Sequence, residues 1–80
     1  MKKDMSTRGL IIHAGLRLAR NGLHNVTMAG VARESGFSRR TVYNYFDTLE
    51  ELCQAVRDRA YAVEDKAVIK WLLLEQELTR

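Results

Sequence analysis

Apolar residues recur along this chain at steps of three and four from Leu10 to Leu78, they nowhere alternate with polar ones, and there is no proline among the 80 residues. Steps of three and four mark helices that bury one side, whereas a strand needs the two-residue alternation that is missing here. The fold class expected is all-α, and the remaining question is where each helix stops.

The stops are legible. A first helix begins near Ser6 or Thr7 and turns Leu10, Ile11, Ala14 and Leu18 to one side, with Ile12, Leu16 and Ala19 widening the stripe. Asn21-Gly22 ends it, because both residues tolerate left-handed backbone, and Leu23 and Val26 lead the loop back inward. Thr27 is placed to cap a short second helix in which Met28, Val31, Ala32 and Ser35 recur at i, i+3, i+4 and i+7, and Gly36 closes it. Ser38 then caps a third helix that runs to Phe46. Thr48, followed three residues on by Glu51, forms a capping box for a fourth. Beyond it Leu49, Leu52, Val56, Ala60, Val63, Ala67, Trp71, Leu74 and Leu78 keep the helical step, as one long helix or as a pair bent between about Arg59 and Asp65. The expected division is a three-helix, homeodomain-like head over residues 1–47 and a C-terminal helical segment over 48–80.

A chain this small stabilises only a modest core, and no covalent or metal staple offers help. Cys53 is alone, and His13 and His24 stand far from it without ligand spacing. Between Leu52 and Val56, Cys53 is read as a small buried hydrophobe. Ser35, Ser38 and Thr41 have no histidine or carboxylate arranged to activate them, and no glycine-rich phosphate loop exists. Neither an enzyme nor a cofactor or metal is expected. The most apolar run, VIKWLLL, is short and carries Lys70, and no charged leader precedes an apolar stretch. Membrane insertion is therefore not expected, and the location expected is cytoplasmic.

Charge divides the chain. Through Phe46 there are eight basic and two acidic side chains, and after it five basic and eight acidic ones. A basic first half points to a polyanionic partner for that half alone. Its densest polar cluster is SGFSRRTVYNYF. At about 100° per residue Val42 and Phe46 fall on one side of the third helix, Arg40, Thr41, Tyr43 and Asn44 fan across the other, and Arg39 and Tyr45 lie on the flanks. Two short helices joined by a glycine turn, the second offering such side chains, describe a helix-turn-helix. In that motif arginine bonds guanine O6 and N7 and asparagine bonds adenine N6 and N7 in the major groove. The alternative is a helical module that holds a protein partner through residues 39–45 or the Trp71 region.

The run TMAGVARESGFSRRTVYNYFDTLEEL resembles the DNA-binding module of TetR-family transcriptional regulators, and LIIHAGLRLARNGLHNVT resembles that family's first helix and following turn. The resemblance covers about residues 8–57. It implies a sequence-specific, usually repressive regulator that binds a double-stranded DNA operator as a homodimer and is released when a small-molecule effector enters a separate C-terminal domain of a longer chain. By position it implies base contacts from Arg39, Arg40, Thr41, Tyr43 and Asn44. It implies phosphate contacts from Thr27, Tyr45 and Thr48, and from Ser38, which also caps the recognition helix. The chain departs from the family pattern at Leu49, where a lysine is common, at Ala29, where some members read a base, and at Ala19, where a bulky aromatic is frequent.

Val63, Ala67, Trp71, Leu74 and Leu78, broadened by Val68, Ile69, Leu72 and Leu73, give the C-terminal segment more apolar surface than a three-helix head can cover. Those first five residues are expected to meet a second copy or a neighbouring domain.

Overall fold

In the computed structural model, which describes residues 6–79, five α-helices are joined by short turns: α1 (Thr7–Ala19), α2 (Met28–Ser35), α3 (Arg39–Tyr45), α4 (Leu49–Ala62) and α5 (Lys66–Thr79). A single 3-10 turn, Leu23–Asn25, lies between α1 and α2. There is no strand among the described residues. Lys2, Lys3, Asp4 and Arg80, which enter the charge division, lie outside them.

The helix starts are set by hydroxyls. Ser6 Oγ accepts from Gly9 N at 3.1 Å, Thr27 Oγ1 from Gly30 N at 2.9 Å, Ser38 Oγ from Thr41 N at 3.1 Å and Thr48 Oγ1 from Glu51 N at 3.2 Å. Each satisfies one of the N–H groups that a first turn leaves without a partner, a contribution of about 1 kcal/mol. Glu51 Oε1 reaches back to Asp47 N at 3.0 Å, one residue earlier than the reciprocal bond of a capping box.

The stops follow the glycines. Gly22 takes φ +128° after α1, and Gly36 closes α2 in the left-handed region at φ +84° while its N–H donates to Ala32 O at 3.0 Å. Asn21 stays at negative φ, so of that pair only the glycine uses its freedom.

One core runs through all five helices. Ile11, Val31, Val42, Leu52, Val56, Val68 and Leu72 are its largest fully buried side chains, and α1 is its axis, packed most heavily on α2 and α4. Gly15 lets α1 and α4 approach, since a Cβ there would stand 2.6 Å from Val56 Cγ2.

The C-terminal stripe does not continue through one helix. After α4, Glu64 takes left-handed φ +55°, Asp65 N donates to Ala60 O at 2.8 Å, and Asp65 Oδ1 accepts from Val68 N at 3.2 Å to start α5. The turn resets the helical phase. Val68 and Leu72 face the core, while Val63, Ala67, Trp71, Leu74 and Leu78 are exposed. The docking of α5 is fixed at the end of α1, where Arg20 holds the Asp65 carboxylate through Nε at 2.9 Å and Nη2 at 2.8 Å. Among the described residues no helix is long and apolar enough to cross a membrane.

Candidate nucleic-acid interface

Helix α3 is anchored by Val42, fully buried, and by Phe46, its C-terminal cap, at 2% exposure. The opposite face is open. Arg39, Arg40, Tyr43, Asn44 and Tyr45 are exposed, and among the described residues none of their side chains makes a hydrogen bond or ion pair. Four arginines elsewhere are engaged. Arg17 pairs with Glu34 at 2.8 Å, tying α1 to α2, Arg20 pairs with Asp65, and Arg57 bonds Gln54 at 3.0 Å. The Arg8 guanidinium lies 5.1 Å from the centre of the Phe46 ring, a cation–π contact at the foot of α3. Side chains that find no partner inside the fold have their donors and acceptors ready for one outside it.

Thr41 differs from its neighbours. It is half-buried, and its Oγ1 lies 3.0 Å from Ser38 Oγ, so its hydroxyl is drawn to the start of the helix. Thr27, Ser38 and Thr48 are exposed N-caps, each accepting a backbone N–H; Thr27 and Thr48 keep their own O–H to donate, whereas the Ser38 hydroxyl is shared with Thr41. The starts of α2 and α4 are not equivalent for an anion. The first turn of α2 carries no acidic side chain, whereas that of α4 carries Glu50 and Glu51, which already occupy its positive end. Tyr45 stands exposed at the end of α3.

The five C-terminal residues expected to meet a partner lie apart from this face, on the α4–α5 turn and on α5. Trp71 has a role that the sequence did not show. Its Nε1 donates to Arg20 O at 3.2 Å, satisfying a carbonyl at the end of α1. The link between Arg8 and Phe46 was equally silent, for the two residues are distant in the chain.

Other polar groups do not gather into a site. His13 and His24 are both exposed, and among the described residues no three His, Cys, Asp or Glu side chains are placed to hold a metal ion. Cys53 is half-buried, and burial pushes its thiol above the ordinary value, against the opposing pull of Arg57.

The family of bacterial regulatory proteins named tetR matches residues 11–56, from the core of α1 through the turn and α3 into α4. The chain belongs to the TetR family. Members of it are DNA-binding transcription regulators, and the TetR match covers every element of the helix-turn-helix described above. It stops at Val56, so the α4–α5 turn and α5 lie outside it. No curated protein and no solved structure matches the chain.

Proposed function

We propose that the chain reads a specific duplex DNA operator by laying α3 in the major groove, and that its effect on transcription is repression. The supporting observation is the set of five exposed side chains on α3 that have no partner within the fold, gathered on the open face of the second helix of a helix-turn-helix, whereas Arg8, Arg17, Arg20 and Arg57 elsewhere are engaged. In this reading Arg40 and Asn44, one helical turn apart, bond base edges, with Arg39, Tyr43 and Thr41 around them. Thr27, Ser38, Tyr45 and Thr48 grip phosphates and set the register of the helix in the groove. TetR-family regulators bind operators typically as dimers, so the operator is expected to contain two half-sites, about 34 to 36 Å apart if they lie one turn of DNA apart. The cytoplasm is where such an operator is met.

The test is binding to duplexes at two salt concentrations, followed by selection of bound duplexes from a random pool. Affinity should fall steeply with salt, because contacts to phosphates release counterions, and selection should return a site with two-fold symmetry. A module that used this face for a protein partner would bind duplex poorly at either salt, and the pool would yield no preferred sequence.

A further inference from the structure

Between the 3-10 turn Leu23–Asn25, the middle of α4 and the outer part of α5 there is a cleft of about 280 Å³. Its floor is apolar, formed by Val26 and Val56, both buried, and by Leu23, packed against the core. Its rim is polar, with His24 on the turn, Cys53 and Arg57 on α4 and Glu75 on α5. Sites for drug-sized ligands run from about 300 to 1,000 Å³, so this one admits only a small molecule.

Arg57 sets the chemistry. It is half-buried and gives one N–H, from Nη2, to Gln54 Oε1 at 3.0 Å. Among the described residues its other donors have no partner, whereas Arg17 and Arg20 are each met by a carboxylate. A guanidinium with open donors takes a carboxylate or a phosphate in a forked pair. The rest of the cleft decides between them. Glu75 on the rim disfavours a second negative charge, and the apolar floor is left uncovered by a bare phosphate.

We propose that this cleft binds a small monocarboxylate with a compact apolar body, the carboxylate on Arg57 and the body on Leu23, Val26 and Val56. A single-ring acid such as benzoate has this form. The site lies in the head itself, whereas the resemblance places an effector in a separate C-terminal domain. An occupant joins α4 and α5 to the turn that leads into Thr27, the cap of α2. The inference goes beyond operator binding and does not rest on it.

Cys53, the single thiol of the chain, lines the cleft and reports on its occupancy. The experiment titrates the whole chain with sodium benzoate at constant ionic strength, following backbone amide resonances and, separately, the rate at which iodoacetamide alkylates Cys53. The shifts should saturate with a dissociation constant of about a millimolar, the scale for so few atoms, and centre on Leu23, Val26, Cys53 and Arg57. At about nine times that constant, where roughly nine-tenths of the clefts are filled, alkylation should slow about tenfold. Benzyl alcohol keeps the ring and lacks the charge, so it should bind about tenfold more weakly. Arg57→Gln should lower benzoate to the level of benzyl alcohol, with thermal melting showing the variant folded. Shifts that fail to saturate would overturn the proposal, as would shifts centred on Arg39 and Arg40, the mark of loose anion pairing along α3. Alkylation unchanged by benzoate, or equal benzoate affinity in Arg57→Gln and wild type, would do the same. Because no DNA is present, these outcomes are independent of whether α3 reads an operator.

Discussion

The indole Nε1 of Trp71 donates to the carbonyl oxygen of Arg20, 3.2 Å away, so a side chain of α5 completes the last turn of α1. The same arginine grips Asp65 at the start of α5. Backbone and side chain of Arg20 thus hold α5 at two points, and α5 is docked to the head and not merely strung from α4. Trp71→Phe keeps most of the ring and loses the donor. It should cost about 0.5 to 1.5 kcal/mol in chemical denaturation while leaving DNA base preference unchanged. Trp71→Glu is a poor probe of association, because it removes this contact as well as exposed apolar surface.

Asp65 carries the other half of that attachment. Burial alone would raise its carboxyl, but the hydrogen bonds from Arg20 and from Val68 N, together with the Arg20 charge, outweigh burial and hold it below the ordinary value. A depressed carboxyl contributes stability that is present above its unfolded value, about 4, and is lost as pH falls through the lower folded value. Stability measured from pH 7 downward should therefore decline below about pH 4 more steeply in wild type than in Asp65→Asn. The variant itself should be less stable by about 1 kcal/mol at pH 7, the exposed arginine being partly screened. Equal acid sensitivity in both proteins would remove Asp65 from the account.

The contrast between these contacts and the rest of the fold shows what a sequence can reveal. Ser6, Thr27, Ser38 and Thr48 act on an N–H three residues ahead, so their roles are local and legible. The phase of α3 is legible for the same reason, since Val42 and Phe46 lie a turn apart. The α4–α5 turn is legible only as an optional bend between about Arg59 and Asp65. It contains neither glycine nor proline, Glu64 adopts φ +55° without a residue type that favours it, and Asp65 looks like one more charge on a charged helix. What stabilises that turn includes Arg20, 45 positions away, and no periodicity carries such information. The inward placement of Val68 and Leu72 in place of Ala67 and Trp71 follows from the phase change at that turn, which the allowed bend between about Arg59 and Asp65 did not specify. The contact face of the candidate site was marked by composition and phase, whereas the engagement of Thr41 with Ser38 depends on a rotamer.

The approach of α1 to α4 should be intolerant of one methyl group. Gly15→Ala gains up to about 1 kcal/mol of helix propensity but drives a Cβ into Val56, a stiff, buried, β-branched side chain, at about 1 to 3 kcal/mol. The net effect should be destabilising. Val56→Ala removes the obstructing atom, so the double variant should be more stable than the two single effects added together. Simple additivity would show that the helices adjust instead.

Phe46 joins the core to the foot of α3. Phe46→Ala should destabilise by about 3 to 5 kcal/mol, a large share of what a domain of this size possesses. Arg8→Ala, which loses only the cation on the ring, should cost about 0.5 to 1 kcal/mol, and Arg39→Ala close to nothing. Thermal melting ranks the three. A severe Arg39→Ala beside a harmless Phe46→Ala would mean that the face assigned to DNA is turned inward.

The last prediction separates the residues that specify sequence from those that supply affinity. Arg40→Ala and Asn44→Ala each remove a side chain that can form two bonds to one base. Each should cost about 1 to 3 kcal/mol on the preferred duplex and relax the preference at one base pair. Tyr45→Phe removes the one hydroxyl proposed to meet a phosphate, so it should weaken all duplexes alike and leave the preferred sequence as it was. Thr27 and Thr48 should differ from each other although both are exposed caps. The start of α2 has no acid to oppose a phosphate, while Glu50 and Glu51 stand in the first turn of α4. Thr27→Ala should therefore reduce affinity more than Thr48→Ala, once each variant's loss of fold stability has been measured separately. Selection from a random pool, repeated with each variant at fixed salt, reads both quantities at once. A changed preference with Tyr45→Phe and none with Arg40→Ala or Asn44→Ala would reverse the roles given to the two sides of α3.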